Sequence, residues 1–375
     1  MSDYFGKEVP KLGFGLMRLP KLEDGKTIDI EQTKTMVDLF MKAGLTYFDT
    51  AYVYEGGDSE KAAKIALVDR YPRESFTLCT KLNAGVAKNE ADAKQQFYTS
   101  LERTGAGYFD YYLLHALGKG NIQFYDDFHI WDYVKELRDK GLIKYWGFSF
   151  HDDHEFLDKL LTDHPDVDFI QLQINYADWE SNTVESRLCY EVARKHGKSI
   201  VVMEPVKGSA LANPPDSVKE ILHKANPSVS MASWAIRFAA SLDGILTVLS
   251  GMSNVQQMED NLSYMKDFKP LDEEEKRVIL AAQDALSKVE QIPCTSCRYC
   301  VAGCPVQISI PSLFDAMNRK LIYNDFAAAK MSFGWATSNN AKPSECIQCG
   351  QCESACPQHL PIIKHLQEIA ALFEN

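Results

Sequence analysis

The chain has 375 residues, of which 45% are hydrophobic and 25% are charged. This length allows one large domain and a small one, and the apolar content excludes a disordered chain. The net charge of −12, without a basic patch, argues against nucleic acids or anionic membranes as partners. No run approaches the roughly 20 apolar residues of a spanning helix, and the amino terminus lacks the pattern of a signal peptide. We therefore expect a cytoplasmic protein.

Short β-like runs alternate with amphipathic helical segments between Lys11 and about Met265. The predicted strands are Leu12–Arg18, Thr46–Thr50, Phe76–Lys81, Phe109–His115, Ile143–Ser149, Phe169–Gln173, Ser199–Glu204 and Ile245–Ser250. The clearest predicted helices are Glu31–Ala43, Ala91–Thr104, Asp127–Lys140 and Thr183–His196. Eight strands that alternate with helices over about 255 residues are typical of a (β/α)8 TIM barrel, whereas a doubly wound sheet usually has fewer strands.

The sequence after the barrel segment changes in character. Asp272–Lys288 is predicted to be an exposed helix with Asp272 as its N-cap. Beyond Pro293 the pattern predicts two helices, Pro311–Leu321 and Asn324–Phe333, and no strand. We therefore expect a barrel over residues 1–270, a connecting helix over 271–290 and a small, mostly helical domain over 291–375.

The cysteines are concentrated near the carboxyl terminus. Cys79 and Cys189 stand alone and are expected in the core, whereas the other eight of the ten lie between Cys294 and Cys356. These eight form two C-x2-C-x2-C-x3-C-P motifs: Cys294, Cys297, Cys300 and Cys304, and then Cys346, Cys349, Cys352 and Cys356. Such crowding in a cytosolic chain indicates metal rather than disulfides.

The spacing of these motifs favours iron–sulfur clusters over zinc. Zinc prefers two C-x2-C pairs that converge on a tetrahedron, whereas this spacing is that of two-cluster ferredoxins, in which each fourth cysteine ligates the other cluster. The long segment between the motifs resembles that of α-helical ferredoxins. We therefore expect two 4Fe–4S clusters, with Cys294, Cys297, Cys300 and Cys356 on one, and Cys346, Cys349, Cys352 and Cys304 on the other.

Four polar residues follow three consecutive predicted strands. Asp49 ends the second strand and Tyr54 follows it, Lys81 ends the third strand, and His115 ends the fourth. All four are predicted at the carboxyl-terminal face of the barrel, where TIM-barrel enzymes hold their active sites. One such residue alone is more often structural, but four in order at neighbouring strand ends indicate a catalytic group.

These four positions resemble the Asp-Tyr-Lys-His tetrad of the aldo-keto reductase superfamily, and the likeness covers roughly residues 8–265. With the two cysteine motifs, the chain is similar to the iron–sulfur-containing branch of that superfamily. The resemblance implies that Tyr54 donates a proton to a substrate carbonyl, that Lys81 and Asp49 support the phenol, and that His115 orients the carbonyl.

The resemblance also implies a nicotinamide cofactor, NAD(P)(H). Its expected contacts are Gly15, Ser149, Gln173, Met203, Ser250, Gly251, Ser253, Gln257 and Asn261. Met203 stands where the family commonly has an aromatic residue, and Phe150 stands where it commonly has asparagine. Gly251 and Gln257 occupy the positions of a basic pair that grips the 2′-phosphate in many members, so we expect less than a tenfold preference for NADP(H) (about 1.4 kcal/mol).

Two alternatives follow from the clusters, which transfer single electrons whereas nicotinamide transfers hydride. A flavin in the barrel would bridge the two regimes, or the chain would be a non-catalytic redox sensor or electron-transfer subunit. The intact tetrad favours an oxidoreductase with a small carbonyl substrate, such as an aldehyde, ketone or sugar. An electron-transfer protein is then a possible partner.

Overall fold

The computed structural model describes residues 9–182, 184–294, 298–356 and 358–374. The chain divides into two compact units. One runs to Lys207 and resumes over Ala232–Lys276, and the other consists of Gly208–Met231 and the chain from Arg277 onward. The domain boundaries expected after residues 270 and 290 stay predictions from the sequence. Within the described ranges, no helix is both long and apolar enough to cross a membrane.

The first unit is a closed barrel of eight parallel strands in sequential order, as the alternation of strands and helices predicts. The strands are β1 (Leu12–Gly15), β2 (Tyr47–Asp49), β3 (Thr77–Leu82), β4 (Phe109–Leu117), β5 (Ile143–Phe150), β6 (Phe169–Gln173), β7 (Ser199–Met203) and β8 (Ile245–Ser250). β1 pairs with β8 and closes the barrel. Because all strands are parallel, their carboxyl ends meet at one rim.

Helices follow the strands, and several begin at side-chain caps. They are α1 (Ile30–Lys42), α2 (Asp58–Ala63), α3 (Glu90–Thr104), α4 (Ile122–Asp127), α5 (Ile130–Asp139), α6 (His154–Asp163), α7 (Ser186–Lys195), α8 (Asp216–Ala225), α9 (Met231–Ala240) and α10 (Val255–Met265). Asp29, Asn89, Asp153 and Asn254 each accept a hydrogen bond from a backbone N–H in the first turn of their helix. Such caps satisfy donors that the helix itself leaves free.

The second unit is mostly helical. Its helices include the greater part of α11 (Glu273–Ser287), followed by α12 (Tyr299–Ala302), α13 (Ile310–Tyr323), α14 (Phe326–Thr337), α15 (Gln351–Ser354) and α16 (Ile362–Phe373). Asp272 caps α11 as predicted, since its Oδ1 accepts from the N–H of Glu275 at 2.8 Å. Phe373 of α16 stacks on Phe326 and Phe333 of α14.

The structure differs from the sequence prediction at several boundaries. β1 ends at Gly15, and Leu16–Arg18 forms a 3-10 turn, because the chain bends at the barrel rim. α5 begins only at Ile130, since His129 has φ of 52°. Asn324 also has a positive φ and ends α13, so α14 begins at Phe326 after its cap, Asp325. Thr183, the predicted start of α7, lies outside the described residues.

Gly147 allows β5 and β6 to approach each other closely. It pairs with Phe169, and a Cβ on Gly147 would lie 2.0 Å from the carbonyl oxygen of Phe169. A backbone atom cannot move aside as the end of a side chain can, so a larger residue must separate the two strands.

Both cysteines predicted in the core, Cys79 and Cys189, are buried.

We expect Gly147→Ala to lower the free energy of unfolding by about 3 kcal/mol or more, because the added methyl group overlaps the backbone of β6. Urea denaturation followed by tryptophan fluorescence measures the change. Gly120→Ala is the matched control, since nothing lies within 4 Å of a Cβ at Gly120. Equal stability of the two variants would contradict the close contact of these strands.

Candidate functional site

Each of the eight strands contributes one of the residues expected at the site, within two residues of its carboxyl end. In barrel order these are Gly15, Asp49, Lys81, His115, Ser149, Gln173, Met203 and Ser250. Tyr54 follows β2 on the loop before α2. The rim of the barrel therefore brings together residues that lie far apart in the sequence.

Lys81 and Asp49 form a buried ion pair on neighbouring strands. Lys81 Nζ donates to Asp49 Oδ1 and, at 2.7 Å, to the carbonyl oxygen of Thr50. The two side chains are 0% and 3% exposed. Burial lowers the pKa of Lys81, but the charge of Asp49 outweighs this effect and raises the pKa above its ordinary value. Lys81 is therefore a fixed cation at neutral pH.

Tyr54 lies beside this cation and beside His115. Lys81 Nζ is 4.8 Å from the centroid of the Tyr54 ring, and the rings of Tyr54 and His115 meet edge to face with centroids 5.6 Å apart. Burial raises the pKa of Tyr54, and Lys81 opposes this rise without reversing it. The phenol therefore stays protonated at neutral pH, and the cation is close enough to stabilise a phenolate if the phenol gives up its proton.

Arg103 of α3 holds the loop that carries Tyr54. Its Nη1 donates to the carbonyl oxygen of Tyr52 at 2.9 Å and to Oε2 of the buried Glu60 at 3.2 Å. Gly57 in this loop has φ of 98°, and a Cβ there would lie 2.5 Å from the guanidinium carbon of Arg103. The loop conformation thus depends on a glycine and on an arginine outside the tetrad.

His115 is presented by an irregularity in β4. The pairing with β5 shifts after Leu114, and Ala116 has φ of 59°, a conformation that costs energy for a residue with a side chain. Ser149 Oγ accepts from the Ala116 N–H at 2.6 Å, and Tyr125 donates to the His115 carbonyl oxygen at 2.5 Å. Burial, and secondarily Lys81, lowers the pKa of His115 well below its ordinary value, so its imidazole is neutral.

Ser149 and Gln173 have opposite hydrogen-bonding capacities on adjacent strands. The Ser149 hydroxyl accepts from Ala116, which leaves its own proton for a further acceptor. Gln173 Nε2 donates to Asp178 at 2.9 Å, which leaves Oε1 as an acceptor. Met203 pairs with Gln173 across β6 and β7 and is partly buried. A group with one acceptor and one donor, such as a primary carboxamide, matches Ser149 and Gln173 together.

The residues expected at the nucleotide lie along β8 and α10. Ser250 ends β8, and Gly251 is exposed after it. Gln257 is exposed, and its Oε1 accepts from the N–H of Ser253 at 2.7 Å. Asn261 is buried on α10, and its Oδ1 has no hydrogen-bond partner among the described residues.

Arg18 is a residue of this region that the sequence analysis missed. Its Cβ, Cγ and Cδ atoms lie 3.6–3.7 Å from the position of a Cβ on Gly251. The guanidinium is exposed and makes no ion pair within the described part of the chain. The residues are far apart in sequence, so only the pairing of β1 with β8 reveals their proximity. The one available signal was a basic residue at the end of the first predicted strand.

Two cavities in the second unit are lined by cysteines from both motifs. Cys294, Cys300 and Cys356 line one cavity. Cys304, Cys346, Cys349 and Cys352 line the other. Cys297 lies outside the described residues. Each cavity therefore brings cysteines of both motifs together among mostly apolar side chains, and thiols are the ligands that iron–sulfur clusters require.

Comparisons with known proteins agree with both units. Residues 11–283 match the Aldo/keto reductase family, and residues 293–360 match a 4Fe-4S dicluster domain. An aldo-keto reductase of Mycolicibacterium smegmatis is 28% identical over 237 residues, which cover 62% of this chain and 77% of the relative. The uncharacterized oxidoreductase YqkF of Bacillus subtilis is 24% identical over 287 residues, which cover 68% of this chain and 87% of the relative.

Solved structures share the fold. An aldo-keto reductase from Bacillus halodurans superimposes with a TM-score of 0.58 at 23% identity, covering 73% of this chain and 92% of that chain. One from Klebsiella pneumoniae, in complex with NADPH, gives 0.58 at 21% identity, with coverage of 72% and 90%. At this identity the likeness concerns the fold alone. The family match extends over most of the chain, which therefore belongs to the aldo/keto reductase family of oxidoreductases and carries a 4Fe-4S dicluster domain.

Proposed function

We propose that this protein reduces the carbonyl group of a small aldehyde, ketone or sugar, with Tyr54 as the proton donor. The observation that carries the proposal is the position of the Tyr54 ring between Lys81 and His115, 4.8 Å from the ammonium and 5.6 Å from the imidazole. A protonated phenol, a fixed cation and a neutral imidazole are the groups that polarise a carbonyl and protonate the developing alkoxide.

The residues divide the work between proton transfer and orientation. Tyr54 donates its proton to the carbonyl oxygen, and the charge of Lys81 stabilises the phenolate left behind. His115 donates an N–H to the same oxygen and so fixes the direction of approach. Asp49 keeps Lys81 in place and balances its charge, which would otherwise be isolated in the barrel.

Ser149 and Gln173 support a nicotinamide as the redox cofactor, because their remaining donor and acceptor match a carboxamide. Bound there, the nicotinamide supplies the hydride. Met203 offers an apolar, polarizable side chain beside Gln173 in place of an aromatic ring. The Klebsiella pneumoniae relative binds NADPH, whereas no relative named above supports the flavin alternative.

Arg18 changes the expected choice between NAD(H) and NADP(H). The expectation of a weak preference depended on Gly251 and Gln257, which carry no charge. The side chain of Arg18 lies along Gly251 and offers a guanidinium there, where the family commonly uses a basic residue. We therefore propose NADP(H) as the preferred cofactor, with Arg18 on its 2′-phosphate.

The cysteines that line each cavity would hold one 4Fe–4S cluster, and these clusters supply one-electron transfer. The first set consists of Cys294, Cys300 and Cys356, which line one cavity, and we add Cys297 from the same motif. The second set consists of Cys304, Cys346, Cys349 and Cys352, which line the other cavity. Because each motif contributes to both sets, the clusters also join parts of the chain that lie far apart in sequence. An electron-transfer protein remains the proposed partner of this domain.

Tyr54→Phe should lower kcat for aldehyde reduction by about 10²–10⁴-fold, the usual contribution of a general acid, and leave the cofactor dissociation constant unchanged. Because the pKa of Tyr54 is raised, wild-type activity should hold across neutral pH and fall only as alkaline pH removes the proton. Steady-state rates and fluorescence titration measure these quantities. Tyr52→Phe, two residues earlier, is the control. More than a tenth of wild-type turnover in Tyr54→Phe excludes this role.

Arg18→Gln should weaken NADP⁺ binding by about tenfold to a hundredfold, the worth of a charge-assisted hydrogen bond of about 1.5–3 kcal/mol. NAD⁺, which lacks the 2′-phosphate, should bind almost as before. Calorimetric titration of both dinucleotides gives the two constants. Lys88→Gln, which removes an exposed cation elsewhere, should change neither. An equal loss for NAD⁺ and NADP⁺ would contradict a contact between Arg18 and the 2′-phosphate.

Paired cysteine substitutions test the exchange of fourth ligands. Each single variant, Cys356→Ala, Cys294→Ala or Cys346→Ala, should lower the iron content from about eight to about four atoms per chain. Cys356→Ala with Cys294→Ala should lose no more iron than either alone, because both belong to one cluster. Cys356→Ala with Cys346→Ala should lose nearly all of it.

Iron and sulfide analysis after anaerobic purification gives these contents, and electron paramagnetic resonance of the reduced protein identifies the cluster that remains. Cys189→Ala, a buried cysteine outside both motifs, is the control and should keep both clusters. The opposite order of iron losses in the two double variants would mean that each motif supplies all four ligands to its own cluster.

A further inference from the structure

Asp178 lies outside the tetrad in a buried network after β6. It is 4% exposed, and its oxygens are surrounded by donors. Lys207 donates to Oδ1, whereas Gln173 Nε2 and Asn175 Nδ2 donate to Oδ2 at 2.9 and 2.8 Å. Burial raises the pKa of Asp178, but Lys207 and the two amides outweigh burial and lower it. The carboxylate is therefore ionised and fully satisfied.

An ionised carboxylate accepts hydrogen bonds and cannot donate them, and this property determines the orientation of the neighbouring amide. Gln173 can satisfy Asp178 only with Nε2, so its Oε1 must point elsewhere. Within the described residues Oε1 has no donor, and Gln173 lines a cavity of about 130 Å³ together with Phe150 and His151. A rotation of the amide by 180° would set Oε1 against the carboxylate.

We propose that Asp178 is a positioning residue that holds Gln173 Oε1 toward the cofactor, so that the site selects a primary carboxamide over a carboxylate. Ser149 supplies the complementary donor, because its hydroxyl already accepts from Ala116. This inference rests on the proposed nicotinamide function and names a determinant of its selectivity. Lys207 serves the arrangement indirectly, since it balances the charge of Asp178.

The chemistry predicts rejection of a specific analogue. Nicotinic acid adenine dinucleotide has a carboxylate where NAD⁺ has a carboxamide, and a carboxylate needs two donors. In the wild-type protein it meets the acceptor oxygen of Gln173. In Asp178→Asn the new amide can donate, so Gln173 can rotate and offer Nε2 to the analogue.

Calorimetric titration of the intact, cluster-containing protein with both dinucleotides tests the proposal. The wild type should bind NAD⁺ at least about tenfold more tightly than the analogue, since an unpaired acceptor costs at least this much. Asp178→Asn should bind the analogue about tenfold more tightly than the wild type does, and its preference should fall below about threefold. A gain in binding is not expected from general damage to the fold. Asp168→Asn, at the opposite end of β6, should keep the wild-type constants.

The double variant Asp178→Asn with Lys207→Gln separates the effect of the Gln173 amide orientation from the effect of the Lys207 charge. It also removes the buried lysine that Asp178→Asn leaves without its ion-pair partner, in case the single variant fails to fold. It should show the same gain for the analogue. A gain in the single variant alone would assign the effect to the freed Lys207 and overturn the proposal, as would a wild-type ratio in a folded Asp178→Asn protein. A wild type that binds neither NADP⁺ nor NAD⁺ would overturn the proposed function together with this inference.

Discussion

The ion pair between Lys81 and Asp49 constrains the register of β2 and β3 and the position of Tyr54 at the barrel rim. Two opposite charges buried at the ends of adjacent strands tolerate neither separation nor the loss of one partner, because the remaining charge would be isolated from water. β2 and β3 must therefore stay in register at their carboxyl ends. The position of Tyr54 depends on the same register, since the N–H of Tyr52 in its loop donates to the Lys81 carbonyl oxygen. The ion pair thus connects the barrel architecture with the acidity of one phenol.

The architecture was predictable from the sequence because parallel barrel strands are short apolar runs at regular intervals. All eight predicted strands are present, and the polar residues at their ends meet at one rim, as β/α alternation requires. The boundaries were less predictable where a residue other than glycine adopts a positive φ. Ala116, His129 and Asn324 have such conformations, and the causes are contacts with distant segments or the end of a helix rather than a distinctive local composition.

The residues at the strand ends of the candidate site were predictable from the sequence, whereas the residues that contact them from elsewhere were not. Asp49, Lys81 and His115 stand at the ends of consecutive strands, whereas Arg103 and Asp178 reach the site only through contacts in the folded chain. Arg18 is a further example. Gly251 and Gln257 carry no charge, so the sequence of their loop predicted only a weak preference for NADP(H). The pairing of β1 with β8 brings a guanidinium there from more than two hundred residues away.

The shared lining of the two cysteine cavities has a consequence for the biosynthesis of the chain. Cys294 and Cys300 are translated about sixty residues before Cys356, which lines the same cavity. At roughly 5–20 residues per second, the early thiols wait about 3–12 s for this later thiol. During that interval they are open to oxidation and to capture of the wrong metal. Because each cavity takes cysteines from both motifs, correct maturation of this domain depends on the rate of translation and on the redox state around the nascent chain.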